Sequence, residues 1–218
     1  MKIIVAIKQV PDRDAQVRID SSAKWIEESD LQFALNESDA YALEEALQLK
    51  EKHGGEVVVL SAGPERIGQT IREALAKGAD RAINIACDDL ATRDALSVAR
   101  LLAAAAKQES PDLVLTGLRV KRELEDGWFQ HVDMPLPALL TIQSGGNKLR
   151  YATLMGIKRA KSKPTTTISA AASTAPPAIE LARVYLPEKQ KKTEMLKGSA
   201  TEIANQIIEK LKFEVRVL

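Results

Sequence analysis

The sequence predicts an α/β protein: an open, mostly parallel sheet with helices on both faces, plus an antiparallel hairpin and an extended C-terminal arm. Three observations carry this. Short apolar runs without strict alternation, such as Lys2-Ile3-Ile4-Val5-Ala6-Ile7-Lys8 and Glu56-Val57-Val58-Val59-Leu60, mark strands covered on both faces. Segments of helical period stand between them. The connections are long enough for right-handed parallel crossovers. Ligands of such sheets bind outside the carboxyl ends of the strands, so the stretch from Lys8 to Asp14, directly after the first strand, is the first place to look for a site.

After that strand, residues 15–35 mix charge with scattered apolar side chains (Val17, Ile19, Trp25, Ile26, Leu31, Phe33, Leu35) and read as an irregular or hairpin excursion over the sheet. Asn36-Glu37-Ser38-Asp39 then offers good N-cap residue types. Leu43, Ala46, Leu47 and Lys50 follow at helical spacing, and His53-Gly54-Gly55 stops the helix. The second strand, 56–60, runs into Ser61-Ala62-Gly63-Pro64 and a helix over 65–77, with Pro64 suited to its first turn. A strand-to-helix turn of this kind could hold an anion. Gly78 ends that helix and a third strand spans 82–87. Thr92 or Asp89 is expected to cap the next helix, which packs through Leu96, Val98, Ala99, Leu102 and Ala103. The fourth strand, 112–116, ends at Gly117.

At Gly117 the pattern breaks. Residues 118–124 alternate apolar and basic side chains as a strand would, leaving none of the dozen or so residues that a parallel crossover needs. Either the chain continues as one long strand, or a segment is absent at this point. Glu125-Asp126-Gly127 then turns into an antiparallel return over 128–134, followed by a buried strand over 138–142 and a loop over 143–148. Residues 165–178 are of low complexity and read as a linker, dividing a domain over 1–164 from an arm over 165–218. Within the arm, residues 179–186 are apolar and extended, and Ser199-Ala200-Thr201-Glu202 matches a capping box. The helix it opens carries Ile203, Ile207, Ile208 and Leu211 on one face, and Phe213, Val215 and Val217 alternate as a strand. Such a tail either folds back on its own domain or wraps a partner subunit.

Composition excludes several function classes. A net charge of +1 supplies no field to recruit nucleic acid or an anionic membrane. The lone Cys87 allows no internal disulfide and fits a reducing compartment. No apolar run approaches the ~18–20 residues of a membrane span. A strand beginning at residue 2 leaves no room for a leader, so a cytoplasmic protein is expected. The two histidines, His53 and His131, have no companions at metal-ligand spacing, and no catalytic constellation stands out. There is no P-loop, no G-x-G-x-x-G after a strand and no serine elbow. Ser144-Gly145-Gly146 continues as Asn147-Lys148-Leu149 and reads as a plain turn. The basic run Lys158-Arg159-Ala160-Lys161-Ser162-Lys163 reads as a solvated face or as a patch for an acidic partner.

Several stretches together resemble a known family. They are Val5-Ala6-Ile7-Lys8-Gln9-Val10-Pro11-Asp12, Asn36 to Asp39 running into Ala42-Leu43-Glu44-Glu45-Ala46-Leu47, Ser61-Ala62-Gly63-Pro64, Ala74-Leu75-Ala76-Lys77-Gly78-Ala79-Asp80, and Asp112 to Gly117. Most specific is Arg150-Tyr151-Ala152-Thr153-Leu154-Met155-Gly156-Ile157-Lys158-Arg159-Ala160-Lys161-Ser162-Lys163-Pro164. Over nearly the whole chain, and in order, these are similar to the beta subunit of electron transfer flavoproteins.

The resemblance implies an adenine-nucleotide-binding, Rossmann-like fold and an electron carrier without bond chemistry of its own. It implies a heterodimer with an alpha subunit that holds most of the redox-active FAD, shuttling electrons from a flavin-dependent dehydrogenase to a downstream acceptor. The beta subunit would bind AMP, or a second FAD in electron-bifurcating members, against Ala6, Asn36, Glu37, Ser38, Asp39, Ala62 and Gly117. Leu154 matches the exposed leucine of the family's recognition loop, with Tyr151 and Lys158 beside it, and Glu123 matches a glutamate near the face where the flavin domain swings. The linker and tail would be the arm that embraces the alpha subunit. This sequence departs from the family after Gly117, where members carry a glycine-containing loop around the nucleotide phosphates, then a helix and a strand. The departure puts phosphate binding and one sheet strand in doubt. Two other classes compete. A stand-alone nucleotide-binding regulator of the universal-stress-protein kind would need neither the arm nor the 150–164 segment, and an ATP-using ligase or hydrolase would need a glycine loop and a base that this chain lacks.

Overall fold

The computed structural model describes residues 1–117, 137–142, 147–170, 179, 181–186 and 195–215. Two compact units divide the chain, residues 1–184 and residues 185–218.

The first unit is built on a six-stranded parallel sheet. Its strands are β1 (Lys2–Ala6), β4 (Glu56–Gly63), β5 (Arg81–Ala86), β6 (Leu113–Gly117), β7 (Ala138–Ile142) and β8 (Thr165–Ser169), in the spatial order β7-β6-β1-β4-β5-β8. A separate antiparallel pair, β2 (Gln9–Pro11) with β3 (Phe33–Leu35), and a bridge from Ile19 to Ile26 make the expected excursion after β1. The helices are α1 (Glu37–His53), α2 (Gly68–Lys77), α3 (Ala95–Gln108) and α4 (Leu154–Ala160). Among the described residues no helix is long and apolar enough to cross a membrane.

Strand alternation explains the two cores. Successive side chains point to opposite faces, so Ile3, Val5, Val57 and Val59 join the cluster under α1 and α2, while Ile4, Val58 and Leu60 join the one under α3. All seven are at most 1% exposed, and each contributes about 1.5–3 kcal/mol of burial. At the amino ends of the strands, Arg81 bridges Glu56 (2.8 Å) and Glu109 (2.5 Å), and Lys2 reaches Glu109 at 3.4 Å, so β1, β4, β5 and α3 are tied together on the side away from the strand exits. Its hydrogen bonds to both carboxylates hold the Arg81 guanidinium above its ordinary pKa.

Several expectations change. β6 is paired in parallel with β1 on one side and β7 on the other. Residues 118–137 connect β6 to β7, and they exceed the dozen or so that a parallel crossover needs. The expected strand over 118–124 and the return over 128–134 lie outside the described residues. β7 is an edge strand rather than a buried one, with Leu139 64% exposed. Residues 165–169, expected to begin a linker, instead form β8, pairing with β5 from Ala82↔Thr165 to Ala86↔Ser169. α2 begins three residues late, after a 3-10 turn over Glu65–Ile67 that follows Pro64. α3 is capped by Asp94, whose side chain accepts from Ser97 N, rather than by Thr92 or Asp89. It buries Ser97, Leu101 and Ala105, while Leu96, Ala99 and Ala103 face out.

Between β7 and β8 the chain passes from one edge of the sheet to the other. Leu149, Ala152 and Ala160 of this crossing pack on the core cluster under α1 and α2.

In the second unit, α5 (Ala200–Lys210) opens with the expected capping box, Ser199 and Glu202 bonding reciprocally. The helix then widens into a π-helical turn over Leu211–Val215, where a strand was expected. None of the α5 residues is buried.

Candidate functional site

The sheet turns about β1. From it the chain first builds β4 on one side and later β6 on the other, so the crevice outside the carboxyl ends of β1 and β6 is the switch point where open α/β sheets take ligands. Ala6 stands opposite Thr116 there, and Gly117 ends β6. One strand over, Ala62 lies in the last turn of β4. These three small residues leave the strand ends without bulky side chains, which suits the flat face of a nucleotide base or ribose.

The N-terminus of α1 forms the adjoining wall. Asn36 is its N-cap residue, and its backbone N–H donates to Lys8 O at 3.0 Å. Its side chain makes no cap bond to α1. Asp39, 4% exposed, accepts from Lys8 N at 2.8 Å through Oδ2 and from Gly117 N at 3.1 Å through Oδ1. One carboxylate therefore binds the second amide beyond the β1 exit and the last amide of β6. Burial is the larger influence on its pKa and holds the carboxyl above the ordinary aspartate value, against the pull of the two amides, Asn36 and the Lys8 charge. Gly117 lies against α1 so closely that a Cβ there would overlap Asp39 Oδ1, the Ser38 carbonyl carbon and Asp39 N. Glu37 instead turns outward to an ion pair with Arg13. Ser61, fully buried, donates from Oγ to Ile7 O at 2.7 Å and ties β4 to the β1 exit.

Of the residues expected at the nucleotide, Ala6, Asn36, Ser38, Asp39 and Gly117 meet at the β1–β6 crevice. Ala62 sits further along the same edge, and Glu37 faces away. Both Asp39 oxygens are engaged by the protein's own backbone, so this carboxylate shapes the crevice.

A second surface lies on α4. Leu154 is 82% exposed and Tyr151 91%, with Met155 and Ile157 also exposed and Lys158, Arg159 and Lys161 among them. Gly156 seats this short helix on α2, where a Cβ would overlap the Ala76 carbonyl oxygen. Lys163, expected on the solvated face, turns inward and donates to Leu75 O at 2.8 Å and to Ala79 O, capping α2. Burial depresses its pKa. Glu123 lies outside the described residues.

The sequence reading missed Arg150. It donates to Glu44 from Nε (2.8 Å) and Nη2 (3.0 Å), and to Glu51 from Nη1 (2.6 Å) and Nη2 (3.2 Å). Burial alone would raise Glu44, but the hydrogen bonds of Arg150 and Gln48 and the guanidinium charge outweigh it, leaving Glu44 below the ordinary glutamate value. Arg150 lowers Glu51 as well. For carboxyls whose folded pKa is depressed, the stabilisation is present above the unfolded value, about 4.3 for glutamate, and is lost as pH falls through the folded value. Glu51→Gln removes one such titration and is expected to flatten the acid limb, below about pH 4, of a stability–pH curve measured by thermal unfolding.

Comparison with known proteins gives this arrangement a family. A model described as "Electron transfer flavoprotein domain" matches residues 24–119. A subunit beta of electron transfer flavoprotein from Methylophilus methylotrophus is 35% identical over 257 aligned positions, covering 96% of this chain and 97% of the relative. The chain belongs to the electron transfer flavoprotein subunit beta family. Its members here include one from Bacillus subtilis, 28% identical over 260 positions with both chains covered throughout, and a mitochondrial one from Oryza sativa subsp. indica, 31% identical over 259 positions, again with full coverage. These alignments are longer than the 218-residue chain, so the relatives hold residues for which this family member has no counterpart. The family makes the chain part of a flavoprotein that carries electrons.

Proposed function

We propose that this chain is the nucleotide-holding, partner-docking subunit of a heterodimeric electron transfer flavoprotein acting in the cytoplasm. An alpha subunit would hold most of the FAD, which supplies the redox chemistry when bound. This chain would perform no bond chemistry. It would bind AMP in the crevice between the β1 and β6 exits, where Ala6, Ala62 and Gly117 leave room for a flat ring and Asn36, Glu37, Ser38 and Asp39 lie in the adjoining helix terminus. It would present Leu154, Tyr151 and Lys158 to a flavin-dependent dehydrogenase during a short encounter, and Glu123, by its match to a family glutamate, would serve the flavin domain of the alpha subunit. α5, with its apolar stripe, would form part of the arm that grips that subunit.

The observation that carries the docking reading is the outward-facing apolar cluster on α4. Monomeric surfaces rarely gather large apolar side chains in one patch, and an apolar anchor among lysines and an arginine suits a transient complex in which the anchor supplies burial and the charges supply steering.

The test is co-expression with the alpha subunit of the same organism, followed by release of the bound nucleotides. We expect a heterodimer yielding one FAD and one AMP. Two FAD and no AMP would replace AMP with a second flavin in this chain. A chain that stays monomeric and acquires no flavoprotein partner would overturn the reading.

A further inference from the structure

We propose that Arg150 is a positioning residue for docking. By gripping two carboxylates of α1 at once, it fixes the orientation in which Tyr151 and Leu154 are presented. This rests on the docking role proposed for α4.

α4 has seven residues and could not hold a helical shape on its own. Among the described residues its outer side chains Leu154 and Met155 are largely exposed, so the two flanks set its direction. On the C-terminal flank, Lys163 is inserted at the end of α2. On the N-terminal flank the attachment is to α1. Glu44 and Glu51 are two helical turns apart and share a face. Arg150 spans both, with every guanidinium nitrogen engaged, and its backbone N–H also donates to Glu44 at 3.3 Å. Asn147 adds bonds to Tyr41 O (3.3 Å) and Glu45 Oε2 (3.1 Å). The next residue after Arg150 is Tyr151, and Leu154 is one turn further on.

Stability alone does not require such a pair. Glu44 is 4% exposed, and burying ions loses hydration that well-packed apolar side chains would not lose. A planar fork holding two fixed carboxylates adds direction, which lysine, with a point charge on a flexible stem, supplies poorly.

The test uses the heterodimer with its alpha subunit and follows oxidation of a substrate-reduced flavin dehydrogenase from the same cell as the heterodimer concentration is varied. Arg150→Ala leaves the buried Glu44 carboxylate without its counter-ion and can fail to fold, so Arg150→Lys is the working variant. We expect Arg150→Lys to raise KM for the heterodimer about fivefold with kcat and FAD content unchanged, and Leu154→Ala to raise KM about tenfold. In the double variant KM should rise about tenfold, because a misdirected Leu154 has little left to lose. Effects that multiply to about fiftyfold, or an Arg150→Lys variant with unchanged KM, would overturn the positioning role. If Leu154→Ala leaves KM unchanged, the docking reading itself fails, and that outcome is separate.

Discussion

Gly117→Ala is expected to destabilise the protein by about 3 kcal/mol, the upper end for an added core methyl group. The reason is what the new atom meets: the Ser38 carbonyl carbon and Asp39 N belong to backbone, and the Asp39 carboxylate is held by two amides, one on each oxygen. None is the free end of a flexible side chain, so α1 itself has to move. At roughly 2–4 °C per kcal/mol for a chain of this size, the melting temperature should fall by about 10 °C. Gly63→Ala is the control, since its Cβ would meet the Ile67 Cδ1 methyl group at 3.2 Å, and a side-chain end can shift. If the two variants melt together, the contact between β6 and α1 is not as close as described.

Asp39→Asn is expected to be nearly as damaging while adding no volume. The carboxylate faces two N–H donors, and an amide can accept from only one of them. Its NH2 group is then set against the other backbone N–H, and a buried donor left unmatched costs about 1–3 kcal/mol. A second consequence concerns pH. Because burial holds the folded carboxyl above its unfolded value of about 3.9, folding takes up a proton over the interval between the two. The associated stability is fully present below the unfolded value and is lost as pH rises through the folded one. Denaturant midpoints measured from about pH 4 upward should show this slope in the wild-type protein and lose it in Asp39→Asn. An unchanged slope would mean that Asp39 is not the group taking up the proton.

Much of the sheet was legible because its strands follow a simple rule. β1 and β4 read as strands since a run buried on both faces has little room for polar residues. The glycine stop of α1 and the capping box of α5 were legible for a similar reason, since their chemistry is local. α3 was only partly legible because it is rich in alanine: Leu102 packs inward as expected, while Leu96, Ala99 and Ala103 face out. Ala99, Ala103, Ala104, Ala105 and Ala106 occur on several faces, so hydrophobic period cannot tell inside from outside. β8 was hidden because an exposed edge strand of Thr-Thr-Thr-Ile-Ser has the composition of a linker.

At the site, the crevice and α4 could be anticipated, but the interactions that shape them could not. Asp39 reads locally as a helix-start residue, while its partners lie 31 and 78 positions away. Glu44 reads as part of a solvated helix face, and the arginine that justifies its burial is 106 residues distant. Long-range charge pairing leaves no periodic trace in a sequence.

The passage from β7 to β8 has a mechanical consequence. The two outermost strands are neighbours in chain order, and the piece that joins them bears Tyr151 and Leu154. A pull exerted there passes first into α1 through Arg150 and into α2 through Lys163, the helices that cover the central strands, so the middle of the sheet bears load before either margin does.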